Sequence, residues 1–321
     1  MKIAIVGWGY APEPPLSNSI YTLMNESKTF LENLGHTVDF FNEKYPDITI
    51  KYLNEGNYDF VHSHAINFVD RFNQKLQRKY CLTCHYGYLL KEDRWEEEFK
   101  QAFASFISVP GIITPSRLTE EFFRNKGYSG YIKVQPNGID TEKFNFKEKG
   151  NNKAVCLGWI QPRKQQRLLA ETIDGKIELD LIGPLDDPDF REGKTTKHLG
   201  LWSLPQVYAN LTNYSCLVLI SDGEVAPLVV LEAMAAGLCV VVSESASANL
   251  HDKEFIRVLP DDILSNATEE NQQIVGDTIG ELIEKNQFYR HEIVEYAKQN
   301  FDFRHLIKNY VQIIDEFTSF C

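Results

Sequence analysis

Glu224 and Glu232 bracket the start of an apolar segment in DGEVAPLVVLEAMAAGLCVVVS, residues 222–243. A carboxylate is rarely buried in such surroundings without a partner. Pro227 stands where a first helical residue is favoured, because its fixed φ suits a helix and its missing N–H has no partner there. Gly237 supplies the stop. Free N–H groups and a positive dipole end at a helix start attract phosphate. The two glutamates therefore admit two readings: groups that hold the hydroxyls of a phosphorylated ligand, or an α/β crossover helix with one salt-bridged glutamate.

Other side chains offer further chemistry. His62 and His64 lie at i and i+2 of a strand at residues 58–64, hence on one face, and read as a metal pair or as scaffolding. His85 follows a strand at residues 79–83, at the sheet edge where open α/β folds bind ligands, and reads as a ligand-facing or a capped core histidine. Cys81 and Cys84 spell CxxC, yet no second ligand pair or helix start accompanies them, so they read as structural. Asp187-Pro-Asp189 is a DxD by letters and an acidic turn by context. Arg71, Lys75, Arg78 and Lys79 alternate with Phe68, Val69, Phe72 and Leu76, as on a solvated amphipathic helix or a surface that meets anionic lipid. Gly7 and Gly9 suggest a GxGxxG turn, but Pro12 occupies the third glycine position, which argues against a nicotinamide cofactor.

These residues need a frame of strands and helices. Residues 2–6, then a helix at 17–34 with Ile20, Leu23, Met24, Phe30, Leu31 and Leu34 on one face, then a strand at 35–41 give a βαβ opening with Gly35 as helix stop. Further strands are expected at residues 111–116, 154–158 and 177–183, and before and after the glutamate helix at 216–220 and 239–242. Ser116 suits an N-cap. Residues 143–153 are charged and weakly apolar, the best linker candidate. From residue 287 onward the chain reads as helical.

With 321 residues and 43% hydrophobic content, the chain suits two domains. Residues 1–150 hold 18 Lys and Arg against 19 Asp and Glu, and residues 151–321 hold 15 against 26. An acidic balance argues against a nucleic-acid partner, whose phosphates need basic stripes. The start reads as a strand, not a signal peptide, and no apolar run is long enough to span a membrane, so the expected compartment is the cytoplasm. Cysteines inside apolar strands, Cys156, Cys216 and Cys239, fit a reducing environment.

Glu224, Glu232 and the following Ala-Met-Ala-Ala-Gly resemble the donor-sugar motif of the retaining nucleotide-sugar glycosyltransferases of family four. Gly158, Pro162 and Lys164 resemble that family's Gly-Arg-x-x-Pro-x-Lys-Gly, with Trp159 at the arginine position and Gln165 at the last glycine. Residues 136–140 and 300–304 resemble its domain-end turn and C-terminal aromatic turn. The resemblance implies an α/β GT-B fold: two Rossmann-like doubly wound domains with an interdomain cleft. The acceptor domain would be residues 1–148 and the nucleotide-sugar domain 149–300, with 301–321 a helix crossing back. It implies transfer of a hexosyl group, with retention and without a metal or other cofactor, to a glycan or lipid-linked hydroxyl. Lys164 would hold the leaving diphosphate, Glu224 the sugar, Glu232 the ribose, and His85 would flank the reacting carbon. Gly9, Asn18, Ser19, Trp159, Arg163, Gly183, Leu228 and Val229 would line the donor site. Asn18 and Ser19 replace the family's glycine pair, and either Arg163 or Arg167 would have to supply the charge missing at Trp159. The same departures leave open a sugar-nucleotide-binding protein with little turnover.

Overall fold

The computed structural model describes residues 1–7, 19–42 and 44–320, so Gly9 and Asn18 lie outside the described residues. The chain forms two compact units, Met1–Gly138 with Phe303–Cys321, and Ile139–Asp302. Residue 148, the expected boundary, lies inside the second unit.

Unit 1 is built on β1 (Lys2–Gly7), β2 (Thr37–Asn42), β3 (Phe60–Ser63), β4 (Cys81–Thr83), β5 (Gly111–Thr114) and β6 (Tyr131–Val134), in the order β2-β1-β3-β4-β5-β6. All pairings are parallel. Parallel sheets are covered on both faces, which is why the inner strands β1, β3, β4 and β5 are buried at nearly every position, while the edge strands β2 and β6 keep partly exposed ones. The connecting helices are α1 (Ser19–Asn33), α2 (Pro46–Glu55), α3 (Val69–Lys75), α4 (Glu97–Ser108) and α5 (Arg117–Asn125). In α1, Leu23, Met24 and Leu31 are buried, and Gly35 at φ 85° ends the helix as expected. Leu34 departs from the expected face: it lies past the helix end and is 52% exposed. Ser116 does cap α5, accepting from the Thr119 N–H at 3.3 Å.

Unit 2 holds β7 (Ala154–Leu157), β8 (Leu179–Ile182), β9 (Thr196–His198), β10 (Cys216–Leu219), β11 (Cys239–Ser243) and β12 (Ile256–Leu259) in the order β12-β11-β10-β7-β8-β9, again all parallel. Its helices are α6 (Gln166–Ile173), α7 (Leu204–Asn210), α8 (Leu228–Ala235) and α9 (Glu269–Phe301). Strand order reverses between β7 and β10, and open α/β sheets bind ligands outside the strand C-termini at such a switch point. The loops after β7 and β10 carry Lys164 and Glu224.

Two expectations about helices need correction. Pro227 is the N-cap of α8, with ψ 128°, and the first helical residue is Leu228. Helix α9 begins at Glu269, capped by Thr268, far before residue 287. Gly276 and Gly280 weaken the local helix signal by about 1 kcal/mol each. Burial of Val275, Ile279, Leu282 and Ile283 offsets that cost.

Beyond α9 the chain returns to unit 1 as α10 (Phe303–Phe320). Phe303 stacks on Phe30 at 5.5 Å, Phe317 packs edge-on against Phe60, and the Tyr131 hydroxyl donates to the Ile313 carbonyl at 2.9 Å. No helix among the described residues is long and apolar enough to cross a membrane.

Candidate active site

The loops at the C-terminal edge of the unit 2 sheet approach one another through glycine. Gly158 (φ 127°) follows β7 and Gly183 (φ 145°) follows β8. A Cβ on Gly183 would lie 2.0 Å from the Gly158 carbonyl oxygen, so no side chain fits there. Gly183 thus has a packing role, and its N–H donates to the Gly200 carbonyl at 2.9 Å.

After Gly158 the chain forms a single 3-10 turn, Pro162–Lys164, before α6. Gln166 fixes this loop by two bonds of its buried amide, donating to the Trp159 carbonyl at 2.8 Å and accepting from the Gln161 N–H at 3.2 Å. The Trp159 carbonyl is held in this way while its side chain stands 42% exposed. Gln165, at the place of the family's glycine, takes the left-handed conformation that glycine favours, with φ 55°. Its amide donates to the Asp261 carbonyl at 2.9 Å, which helps hold a backbone that a non-glycine residue rarely adopts.

Arg163 and Lys164 both meet Glu224. Arg163 Nη1 lies 3.4 Å and Lys164 Nζ 3.6 Å from the same oxygen, Oε1, and the Lys164 and Glu224 side chains are 12% and 13% exposed. Ser221 donates to that oxygen as well, at 3.1 Å. Oε2 accepts from no described residue, so its lone pairs are open to a ligand. The backbone joins the same loops, because the Asp222 N–H donates to the Arg163 carbonyl at 2.8 Å. Arg167 is elsewhere engaged, 2.9 Å from Glu171 and 3.9 Å from Asp187. Of the two candidates to replace the arginine missing at position 159, only Arg163 is in place.

Glu224 leads through Ala226, at φ 47°, into α8. The N–H groups of Leu228 and Val229 open this helix and have no carbonyl one turn earlier within it. Glu232 is 8% exposed in the middle of α8, among apolar neighbours.

Asp187 spends one oxygen on the Asp189 N–H at 3.0 Å and the other near Arg167, the geometry of an acidic turn. Among the described residues no three His, Cys, Asp or Glu side chains are grouped to hold a metal ion. Cys81 and Cys84 are buried free thiols, and burial pushes Cys84 up to about 12, far from a reactive thiolate.

In unit 1, His64 Nδ1 and His85 Nε2 share a hydrogen bond of 2.8 Å at the C-terminal edge of the sheet. His62 is buried between the hydroxyls of Thr83 and Tyr310. Burial pushes His62 down to about 3 and His85 to about 4, so both are neutral near pH 7. A cavity of about 30 Å³, room for one water, lies against His62, His64 and Tyr310. Ser19 is the exposed first residue of α1. The basic cluster is largely committed within unit 1: Arg71 and Lys75 lie 3.6 and 2.9 Å from Asp47, and Arg78 donates to the Leu53 and Tyr58 carbonyls.

The family described as Glycosyltransferase Family 4 matches residues 41–143, and Glycosyl transferases group 1 matches residues 151–275. The chain belongs to the group 1 glycosyltransferases of family four. Its fold is GT-B, shared over 100% of both chains with sucrose-phosphate synthase from Thermosynechococcus elongatus, at 15% identity and a TM-score of 0.75. HepE from Anabaena, solved with UDP, is similar over 98% of this chain and 100% of its own, at 15% identity and a TM-score of 0.72. The lipopolysaccharide outer core galactosyltransferase WaaB is similar over 98% and 99%, at 16% identity and a TM-score of 0.68. No curated protein matches by sequence.

Within this glycosyltransferase, the sequence pattern points to Lys164, Glu224 and Glu232 but not to Ser221, Gln166, Ser245 or Asp261, which hold the loops. Ser221 carries a local signal, lying one turn before Glu224. Ser245 and Asp261 act across 16 to 96 residues, where no spacing rule applies, and Gln166 acts within its own loop, five and seven residues back, without a motif to mark it.

Proposed function

We propose that this glycosyltransferase moves a hexosyl group from a nucleotide-diphosphate sugar to a hydroxyl of a glycan, glycolipid or small-molecule acceptor, with retention at the anomeric carbon. The observation that carries this reading is the meeting of Arg163 and Lys164 on one oxygen of Glu224, at the switch point of the unit 2 sheet. Two cations beside a helix start suit a diphosphate, and a carboxylate whose second oxygen takes no donor among the described residues suits sugar hydroxyls. That HepE was solved with UDP and glucose supports such a donor.

In this reading the bond from the anomeric carbon to the leaving phosphate oxygen breaks, and the acceptor oxygen bonds to the same face through an oxocarbenium-like state. The acceptor proton passes to the departing phosphate. Lys164, Arg163 and the N–H groups of Leu228 and Val229 stabilise the charge that develops there, and fixed donors aimed at a developing charge are where such a site gains most of its rate. These side chains carry the positive charge that a metal would otherwise supply. Glu224 binds sugar hydroxyls and Glu232 the ribose.

The test is release of nucleoside diphosphate from UDP-, GDP-, ADP- and dTDP-sugars, with and without hydroxyl acceptors, and assignment of the product anomer by NMR. Retained configuration is expected. Donor binding with no transfer to any acceptor would replace the enzyme with a sugar-nucleotide-binding protein, and an inverted anomer would overturn retention.

A further inference from the structure

The turn that carries Glu224 is held from behind by a second loop. The Ser245 hydroxyl spans Asp222: it donates to the Ser221 carbonyl at 3.2 Å and accepts from the Gly223 N–H at 3.1 Å. A hydroxyl has one proton and two lone pairs, enough for both bonds. The Ser221 carbonyl has a second donor, Ser243 Oγ at 2.7 Å. For the Gly223 N–H, Ser245 is the only partner among the described residues. Ser245 is fixed in turn by its own N–H, which donates to Asp261 Oδ1 at 2.9 Å. The Asp261 carbonyl accepts from Gln165, next to Lys164. The loops after β7, β10, β11 and β12 are thereby joined at one place.

The Glu224 carboxylate sits at the end of this chain of bonds. Its Oε1 takes Ser221, Arg163 and Lys164, and its Oε2 takes none of the described residues. Which way the open oxygen faces depends on the backbone at Gly223 and Glu224, and Gly223 has φ 100°, a region where glycine moves freely unless its N–H is held.

We infer that Ser245 is a positioning residue for Glu224, holding the Ser221–Gly223 turn so that the open carboxylate oxygen is presented to the donor sugar. This rests on the sugar-binding role of Glu224 proposed above. Ser245 bonds neither Arg163 nor Lys164 directly, and Arg163 meets the same turn at the Gly223 carbonyl (3.4 Å) and the Asp222 N–H (2.8 Å), so the larger effect of Ser245 is expected on the sugar and the smaller on the nucleoside diphosphate.

The measurement is the affinity of the full chain for UDP, GDP, ADP and dTDP and for their glucose conjugates, in the native protein, Ser245→Ala, Glu224→Gln and the double variant. Ser245→Ala should weaken the sugar conjugate relative to its nucleoside diphosphate by about three- to tenfold, the span of one neutral hydrogen bond. Binding of the diphosphate should stay within about twofold, and Ser245→Thr, which keeps the hydroxyl, should restore the ratio. In the Glu224→Gln background, Ser245→Ala should change nothing further. If Ser245→Ala does not fold, Ser245→Cys removes the strong hydrogen bonds at nearly constant volume. An unchanged ratio, an equal loss of diphosphate affinity, or full additivity with Glu224→Gln overturns the role of Ser245 and leaves the donor reading standing. A native protein that binds none of these nucleotides overturns both.

Discussion

Two cations share one oxygen of Glu224, and a diphosphate placed there would draw on both. Lys164→Ala should therefore lower kcat/KM by about 10²-fold, the usual effect of removing one donor to a developing charge. Trp159→Arg should alter it by less than about threefold, because Arg163 already brings a guanidinium to the cluster. A large gain from Trp159→Arg would show that the second charge is missing in the native enzyme. The positions of Glu224 and Glu232 beside and within one helix were legible in the sequence because these motif residues cluster locally around a helix start. Gln165 was legible only as a departure: its letter does not reveal that the backbone stays left-handed and that an amide bond to Asp261 helps retain it. The histidines give a second prediction. In the unfolded chain each titrates near 6.5, whereas burial holds His62 at about 3 and His85 at about 4. Below pH 6.5 the unfolded state binds protons that the folded state refuses, so their contribution is complete above that pH and is lost as pH falls toward about 4. Each can remove up to about 1.4 kcal/mol per pH unit within that window. Urea midpoints at pH 7, 6 and 5 should fall steadily, and a flat profile would mean that the folded protein accepts these protons.

Helix α9 supplies the main structural clamp of unit 2. Arg290, 1% exposed, donates to the carbonyls of Lys147, Thr212, Tyr214 and Ala236, and to Asn286 Oδ1. The Ala236 carbonyl belongs to the end of α8, so the guanidinium also meets the negative end of that helix dipole. Arg290→Met would leave several buried carbonyls without donors, each costing about 1 to 3 kcal/mol. A loss of stability on the order of 4 kcal/mol or more is expected in urea unfolding. Arg290→Lys should recover little, since three donors on a flexible stem cannot replace a planar fork of five. A loss below about 1 kcal/mol would mean that water reaches these carbonyls. This clamp was hidden from the sequence, because the carbonyls that Arg290 meets lie 54 to 143 residues away. By contrast, nine of the twelve strands were legible to within two residues, because burial leaves apolar runs, whereas β6, β9 and β12, which lie at sheet edges and carry Lys133, Lys197 and Arg257, were not.

At the scale of the whole chain, strand neighbours were the least legible feature. Lys164 and Glu224 meet because β7 and β10 pair, and nothing in either local stretch specifies that pairing. The return of the chain through α10 has a testable effect on stability. Phe303, Ile307, Tyr310, Ile313, Ile314 and Phe317 are buried there, each worth about 1.5 to 3 kcal/mol, against a total of about 5 to 15 for a domain. Deleting residues 303–321 should unfold unit 1 and spare unit 2. Hydrogen exchange would show protection lost across residues 1–138 and kept across 139–302, and protection kept in both would refute the dependence. The same connectivity dictates an order of events on the ribosome. Residues 1–138 emerge first but lack the helix that covers Phe60 and completes the bonds of His62, while unit 2 is contiguous and can close as soon as it is out. At about 5 to 20 residues per second, unit 1 waits on the order of ten to forty seconds with apolar surface uncovered. Unit 1, synthesised first, cannot be completed before α10 has emerged, and that interval is when chaperones have most to shield.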